Sequence, residues 1–370
     1  MIRDIRVTVN RTQSHEALQR KETRVKKVVG LDLGDKKHVA VVFDADGVEH
    51  AAECVTNTVK QVTKYFEQHS GAVVVMEAGT HSGWISRLLE KVGHEVWVGN
   101  PRKLRAIWDS TDKSDARDAR VLGLMFRLEP RLLHRVHHRN EQAQNDLALI
   151  KSRGILVETR TKLINHVRCI VKGTGARVSA CSGESFHKKA ATQVPVELWD
   201  ALGVVVEQIK QLTAAIQEMD KRIEKMCEEK YLETRRLTQV PGVGSLTGLA
   251  YVLTVEDPKR FAKSRSVGPF LGLTPRRDQS GETDKQLAIT KAGDVYLRQL
   301  LVGCAHYILG PFGKDCDLRT YGARIAAQGG KNAKKRAVVA VARKLAVLLH
   351  RLWADGGEYV PVRKAACRAA

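Results

Sequence analysis

The chain has 370 residues, 43% of them hydrophobic, which is enough for more than one core and excludes a disordered protein. Sixty-two Lys and Arg against 41 Asp and Glu leave a formal charge of +21, a balance that argues against a small-molecule enzyme and for a polyanionic partner, nucleic acid first. Apolar stretches are short or interrupted, the N-terminus has no apolar signal core, and the seven cysteines form no Cys-x-x-Cys pair, so a cytoplasmic protein with reduced thiols and no zinc is expected.

Residues 1–27 carry eight Lys or Arg against three acids, which reads as a basic arm that orders on phosphate or as a solubilising tail. A domain over 28–135 follows. Val28-Val29-Gly30-Leu31-Asp32-Leu33-Gly34 is a short apolar β-run whose one charge, Asp32, a buried strand tolerates only beside a cation. A second strand over 38–43, the hairpin signal Asp46-Gly47 and a third strand complete a meander. A helix is expected over 56–69, a fully apolar strand over 72–76 ending in Glu77, a helix near 82–92 and a strand over 95–99. Residues 113–120 read as helical, and a spacing of three puts Asp115 and Asp118 on one face, with Asp112 a rival one turn earlier. This order resembles the ribonuclease H-like fold in its RuvC-type form. That resemblance implies an Asp32, Glu77, Asp115 and Asp118 set holding two Mg2+ ions. Hard oxygen ligands suit Mg2+, and two ions about 3.5 to 4 Å apart stabilise both oxygens of an in-line phosphoryl transfer. Two plainer explanations stay open: Gly-Leu-Asp-Leu-Gly also fits the phosphate loop of actin-like ATPases, and a helical Asp pair is often a solvated face. Lys113, Arg117 and Arg120 flank the acids, where a phosphate backbone has to run.

Over 136–235 a helical coiled-coil region is expected. Leu147, Ile150, Val157, Ile164 and Val171 recur at helical spacing, and Leu202, Val205, Ile209, Leu212, Ile216, Met219, Ile223 and Met226 step by three and four. That seam either closes a hairpin within one chain or pairs two chains. A mainly α-helical domain over 236–353 begins with Pro241-Gly242-Val243-Gly244 between helical segments. It looks like a helix-hairpin-helix element, in which Gly242 and Gly244 let amides reach a phosphate; a plain helical turn is the alternative. Next come Gly272-Leu273-Thr274-Pro275-Arg276-Arg277, then Gln279-Ser280-Gly281, which alone is ordinary turn chemistry, then Lys291-Ala292-Gly293 and a helix bearing Arg298. Residues 331–351 hold seven basic residues, Lys334, Lys335 and Arg336 among them, and no acid around an apolar stripe, so one side should pack and the other face nucleic acid. A tail over 354–370 ends the chain.

Taken together, the four acids, the helical middle, Pro-Gly-Val-Gly, Gly-Leu-Thr-Pro-Arg-Arg with Ser-Gly, and Lys-Ala-Gly before an Arg-bearing helix resemble the DEDD-type insertion-sequence transposases related to the Piv DNA invertase. The likeness covers about residues 28–353. It implies an RNA-guided DNA transposase whose C-terminal domain supplies Ser280 as nucleophile, through a Mg2+-assisted covalent 5′-phosphoserine intermediate. Its implied partners are donor and target DNA, an element-encoded guide (bridge) RNA, and further copies of the chain as a dimer or tetramer. Arg276, Arg277, Lys291 and Arg298 then become candidates for holding the DNA backbone. The rival readings are a RuvC-like metal-dependent nuclease, in which water attacks in place of Ser280, and a non-catalytic RNA- or DNA-binding protein.

Overall fold

The computed structural model describes residues 27–104 and 114–362; the arm before Lys27, Asp112, Lys113 and the end of the C-terminal tail lie outside the described residues. The chain divides after Arg139 into two compact units.

In the first unit, β1 (Val28–Asp32), β2 (Lys37–Phe43) and β3 (Glu53–Thr56) form an antiparallel meander. β4 (Val73–Glu77) and β5 (Glu95–Gly99) add to it parallel to β1, giving the order β3-β2-β1-β4-β5. Alternate side chains serve two cores. Val29, Leu31, Val74 and Met76 pack with Val62 and Phe66 of α1 (Val59–Glu67) and Ile85 and Leu89 of α2 (Ser82–Lys91). Val28, Val39, Val73 and Val75 pack with Ala119, Leu122 and Met125 of α3 (Asp115–Leu128). Covering on both faces is why the central strands read as unbroken apolar runs. This mixed sheet is consistent with the expected ribonuclease H-like arrangement.

α3 lies unusually close to β1. A Cβ on Gly30 would fall 1.9 Å from the Ala119 carbonyl oxygen and 2.9 Å from the Gly123 amide nitrogen, so only glycine lets the helix backbone rest on the strand.

In the second unit, α4 (Glu141–Gly173), α5 (Phe186–Gln193) and α6 (Trp199–Glu229) build a helical hairpin. Arg153 holds Asp220 through Nε and Nη2 at 2.8 and 3.1 Å, and Lys230 pairs with Asp146, so the two long helices run antiparallel within one chain. The buried seam of α6 differs from the expected one at four places: Val206, Thr213 and Cys227 are buried where Val205, Leu212 and Met226 were expected, and Met219 is only half-buried. Thr213 sits inside because it meets a buried arginine, Arg160.

The hairpin's base and the C-terminal helices share one core. Leu147, Ile150, Ile223 and Cys227 pack with α7 (Ser245–Val255), α8 (Val295–Leu309) and α10 (Ala333–Asp355); α9 (Asp317–Ala327) contributes Leu318. Residues 247–255 are buried throughout, which makes α7 the central helix. Outside this core stands an exposed two-stranded ribbon of β6 (Pro275–Ser280) and β7 (Thr283–Ile289), in a stretch where only Gln279-Ser280-Gly281 carries a local signal, that of a turn. No helix among the described residues is long and apolar enough to cross a membrane.

Gly30→Ala is expected to destabilise the first unit by about 1 to 3 kcal/mol, the usual cost of overpacking, read by denaturant unfolding. A neutral result would mean that α3 does not rest on Gly30.

Candidate active site

Asp32 and Glu77 are the last residues of neighbouring parallel strands. The register pairs Leu31 with Met76, so the two carboxylates end side by side. α3 delivers the other two. Ser114 caps it, its Oγ accepting from the Arg117 amide at 3.4 Å, and Asp115 and Asp118 occupy its first turn. Acids in a first turn are favoured by the helix dipole. Here they also serve the sheet, because Gly30 and Ala119 bring this end of the helix down on β1.

The four charges act on one another. Burial pushes the half-buried Asp32 carboxyl from the ordinary 3.8 to about 6, and the charges of Asp115, Asp118 and Glu77 add to the rise, against a hydrogen bond from the Leu33 amide. Like charges shift a carboxyl only when they are near, so the sheet and α3 bring these four acids together. Among the described residues, no three Asp, Glu, His or Cys side chains are gathered closely enough to form a metal cage. The donor set is four hard oxygen ligands carrying excess negative charge. It fits a hard divalent cation such as Mg2+ in preference to a softer metal.

Behind the acids a web of polar side chains joins the turns that follow β1 and β4. The Trp84 indole donates to His81 Nδ1 at 3.3 Å, which leaves the imidazole proton on Nε2, 3.3 Å from Asp35 Oδ1. Asn57 Nδ2 donates to the Asp35 carbonyl oxygen at 2.8 Å. None of these residues stands out in the sequence, where each is a common polar side chain in a loop or at a helix start. On the outer side of α3, Arg117 and Arg120 are exposed, and Arg120 Nε donates to Glu49 Oε2 at 2.6 Å.

Ser280 lies in the second unit at the end of β6. It pairs with Thr283 across a two-residue turn whose Gly281 has φ +55°. The ribbon is exposed along its length and held at its base. Gly272 and Gly293 allow this: a Cβ on Gly272 would fall 2.2 Å from the Ala292 nitrogen, and one on Gly293 would fall 2.1 Å from the Phe270 carbonyl oxygen. The Gly-Leu-Thr and Lys-Ala-Gly motifs therefore lie backbone against backbone, and Thr290 donates its amide to the Thr274 carbonyl oxygen at 2.9 Å.

Arg298 corrects an expectation. It is buried, and its Nη1 donates to the carbonyl oxygens of Leu271 at 3.0 Å and Ala292 at 2.6 Å, so it fastens the two motifs together instead of lying open to a DNA backbone. Arg277 is held by Asp284 through two bonds of 2.7 Å, and strand alternation puts it on the face opposite Ser280. A phosphate at Arg277 has to displace that carboxylate. Arg276 falls at the irregularity in the β6–β7 register, and Lys291 adopts φ +55° with its amide donating to the Gly272 carbonyl oxygen. Gly242, at φ +86°, rests against Tyr307, and Gly244 immediately precedes α7. The helix before them is one turn, Thr234–Leu237, so the pair of helices is shorter than a full helix-hairpin-helix. Lys334, Lys335 and Arg336 are exposed on the first turn of α10, whose other side is buried.

Residues 29–176 match a family model for DEDD transposases of the IS110 type, and residues 234–313 match one described as the transposase IS116/IS110/IS902 family. The chain is 27% identical to the y4pF/y4sB protein of Sinorhizobium fredii over 93% of its own length and 89% of the relative's. It is 26% identical to the transposase for insertion sequence element IS1111A of Coxiella burnetii, covering 87% of this chain and 88% of that one. Similarity extends at 24% to the pilin gene-inverting protein of Moraxella bovis, over 86% and 93% of the two chains.

A carboxyl whose pKa is raised by folding costs nothing below its unfolded value, and the cost appears as pH rises through about 6. Without divalent cations at pH 8, Asp32→Asn is therefore expected to be more stable than the wild type, by about 1 kcal/mol after allowing for solvent screening of a half-exposed group. The advantage should vanish near pH 4. Equal stability at both pH values would show that neither burial nor the neighbouring acids penalise the Asp32 charge.

Proposed function

Because the chain belongs to the IS110/IS116 family of insertion-sequence transposases, we propose that it cuts and rejoins DNA with the four acids and Ser280 acting on one phosphate. The observation that carries this reading is the coupling of Asp32 to Asp115, Asp118 and Glu77, an arrangement that costs stability and makes sense where cations and phosphate meet. Divalent cations bound at these oxygens, Mg2+ in the reading we favour, supply positive charge beside the scissile phosphate. Asp32 and Glu77 hold from the sheet and Asp115 and Asp118 from the helix, so the carboxylates reach their ligand from two rigid directions.

Ser280 supplies the nucleophile. Its Oγ attacks phosphorus, the P–O3′ bond breaks, the 3′ oxygen leaves as a hydroxyl after taking up a proton, and a 5′-phosphoserine ester remains. The ester keeps the energy of the phosphodiester, so attack by the 3′-hydroxyl of another strand releases Ser280 and reseals DNA without ATP. Exposure at the end of a ribbon braced by Arg298 supports this role, since the hydroxyl is both reachable and held. Arg276, Lys291, Arg117, Arg120, Lys113 and the Lys334, Lys335 and Arg336 cluster are the backbone-contacting candidates, with Gly242 and Gly244 offering amides.

Sequence readout in this proposal falls to a structured guide RNA that pairs with donor and target DNA, while the protein reads shape and backbone. The charge of +21 supports such a double load of nucleic acid. Strand exchange needs two duplexes held together, which a dimer or tetramer provides.

The test is strand exchange on labelled donor and target duplexes with Mg2+ and co-expressed element RNA. Ser280→Ala is expected to abolish exchange, and Asp115→Asn to abolish exchange and cutting alike, each by at least about a hundredfold. Cutting that persists at full rate in Ser280→Ala would favour a nuclease in which water attacks.

A further inference from the structure

The far end of the helical hairpin carries positive charge that the candidate active site does not use. Between residues 159 and 193 the sequence has seven Lys or Arg and one acid, Glu184. Arg160 of α4 is 9% exposed, and among the described residues its hydrogen bonding is a single bond from Nη1 to Thr213 Oγ1 at 3.3 Å. Burial pulls the guanidinium below its ordinary pKa, and Glu184 and the Arg153–Asp220 pair act on it only at a distance. A guanidinium does not shed its proton to escape such a position, so it calls for an anion.

A cavity of about 410 Å3 offers the place. Its wall includes Thr213, which Arg160 touches, together with Ser182, Ser185, His187, Lys188 and Lys210, and Glu184 is its one acid. A Cβ on Gly183 would fall 3.4 Å from Arg160 Nη2, so the segment that carries Ser182 and Ser185 lies beside the guanidinium. Nearby, Arg168 Nε and His187 Nδ1 are buried without a hydrogen-bond partner. Ser185 makes no side-chain cap to α5, so the first amides of that helix are also uncapped by a side chain. Lys210 is engaged by Glu207 at 3.1 Å and contributes less.

We propose that this cavity binds a phosphate of a nucleic-acid backbone, with Lys188, the Ser182 and Ser185 hydroxyls, which bond each other at 3.0 Å and would turn to the ligand, and the first α5 amides as donors, while Arg160 adds positive charge from behind Thr213. Ammonium, hydroxyl and amide donors together match a tetrahedral oxyanion. A polyanion fits better than a free metabolite, because Lys162, Lys172, Arg177 and Lys189 extend the positive field beyond the cavity, where a small ligand does not reach. The cavity's lining residues all belong to the second unit, and the proposal does not depend on the role given to Ser280.

Full-length Arg160→Met and Lys188→Gln are the test variants, with binding of a labelled DNA duplex and a structured RNA followed across a salt series. Each variant is expected to weaken binding of DNA, RNA or both by about tenfold, and to reduce the salt slope by about one for each phosphate no longer neutralised. Weakening on one nucleic acid alone identifies the source of the phosphate. Arg160→Met should melt at or above the wild-type temperature, since it removes an unpaired buried charge, and millimolar inorganic phosphate should raise the melting temperature of the wild type only. Unchanged affinity and salt slope for both nucleic acids overturn the proposal. Phosphate stabilisation without such a change also overturns it, making the cavity a free-anion site. Should Arg160→Met not fold, Lys188→Gln, an exposed position, gives the same readout.

Discussion

The distance between α3 and β1 governs the acidic end of the sheet, and Gly30 sets that distance. With any larger residue the helix backbone would have to lift away, carrying Asp115 and Asp118 from Asp32 and Glu77. Because the helix does come down, burial first and then the charges of Asp115, Asp118 and Glu77 push Asp32 toward neutrality. A fold that builds in this repulsion gives up stability to do so. The compensation expected of such an arrangement is a positively charged ligand, which is how an electrostatic cost becomes a binding site.

The second unit uses the same device for a different end. At Gly272 and Gly293 two loops lie backbone against backbone, and buried Arg298 ties both by their carbonyl oxygens. Above this clamp the β6–β7 ribbon stands free of any core, a condition in which an isolated hairpin is marginal. Bracing the base while leaving the end exposed gives Ser280 reach and a fixed origin. The glycines of these motifs are thus explained by packing, and Arg298 by the carbonyls it satisfies.

Much of the first unit is legible in the sequence because each buried strand is a continuous apolar run and each acid interrupts such a run or starts a helix. The strands over 28–32, 37–43, 73–77 and 95–99 follow directly from that signal. The ribbon does not show itself. Pro-Arg-Arg-Asp-Gln-Ser buries nothing, so it lacks the alternation by which a strand is recognised, and its pairing is set by the clamp below. Periodicity places the helical seam one position off at 205, 212 and 226, because apolar spacing alone does not foresee that Arg160 and Thr213 share the interior. Arg298 misleads for a related reason: a charged residue is taken for surface unless its partners are known, and carbonyl oxygens leave no trace in a sequence. The web of Asp35, Asn57, His81 and Trp84 is likewise invisible, since it exists only once the ends of β1 and β4 are neighbours.

The measurement that bears most directly on the proposed chemistry is mass mapping of the protein after reaction with donor DNA and Mg2+ under denaturing quench. A nucleotide attached through a 5′-phosphate to the peptide containing Ser280, and absent when Mg2+ is withheld, is the predicted result. Cut DNA with every peptide unmodified, or a nucleotide on another residue, would contradict the assignment of Ser280 as the nucleophile.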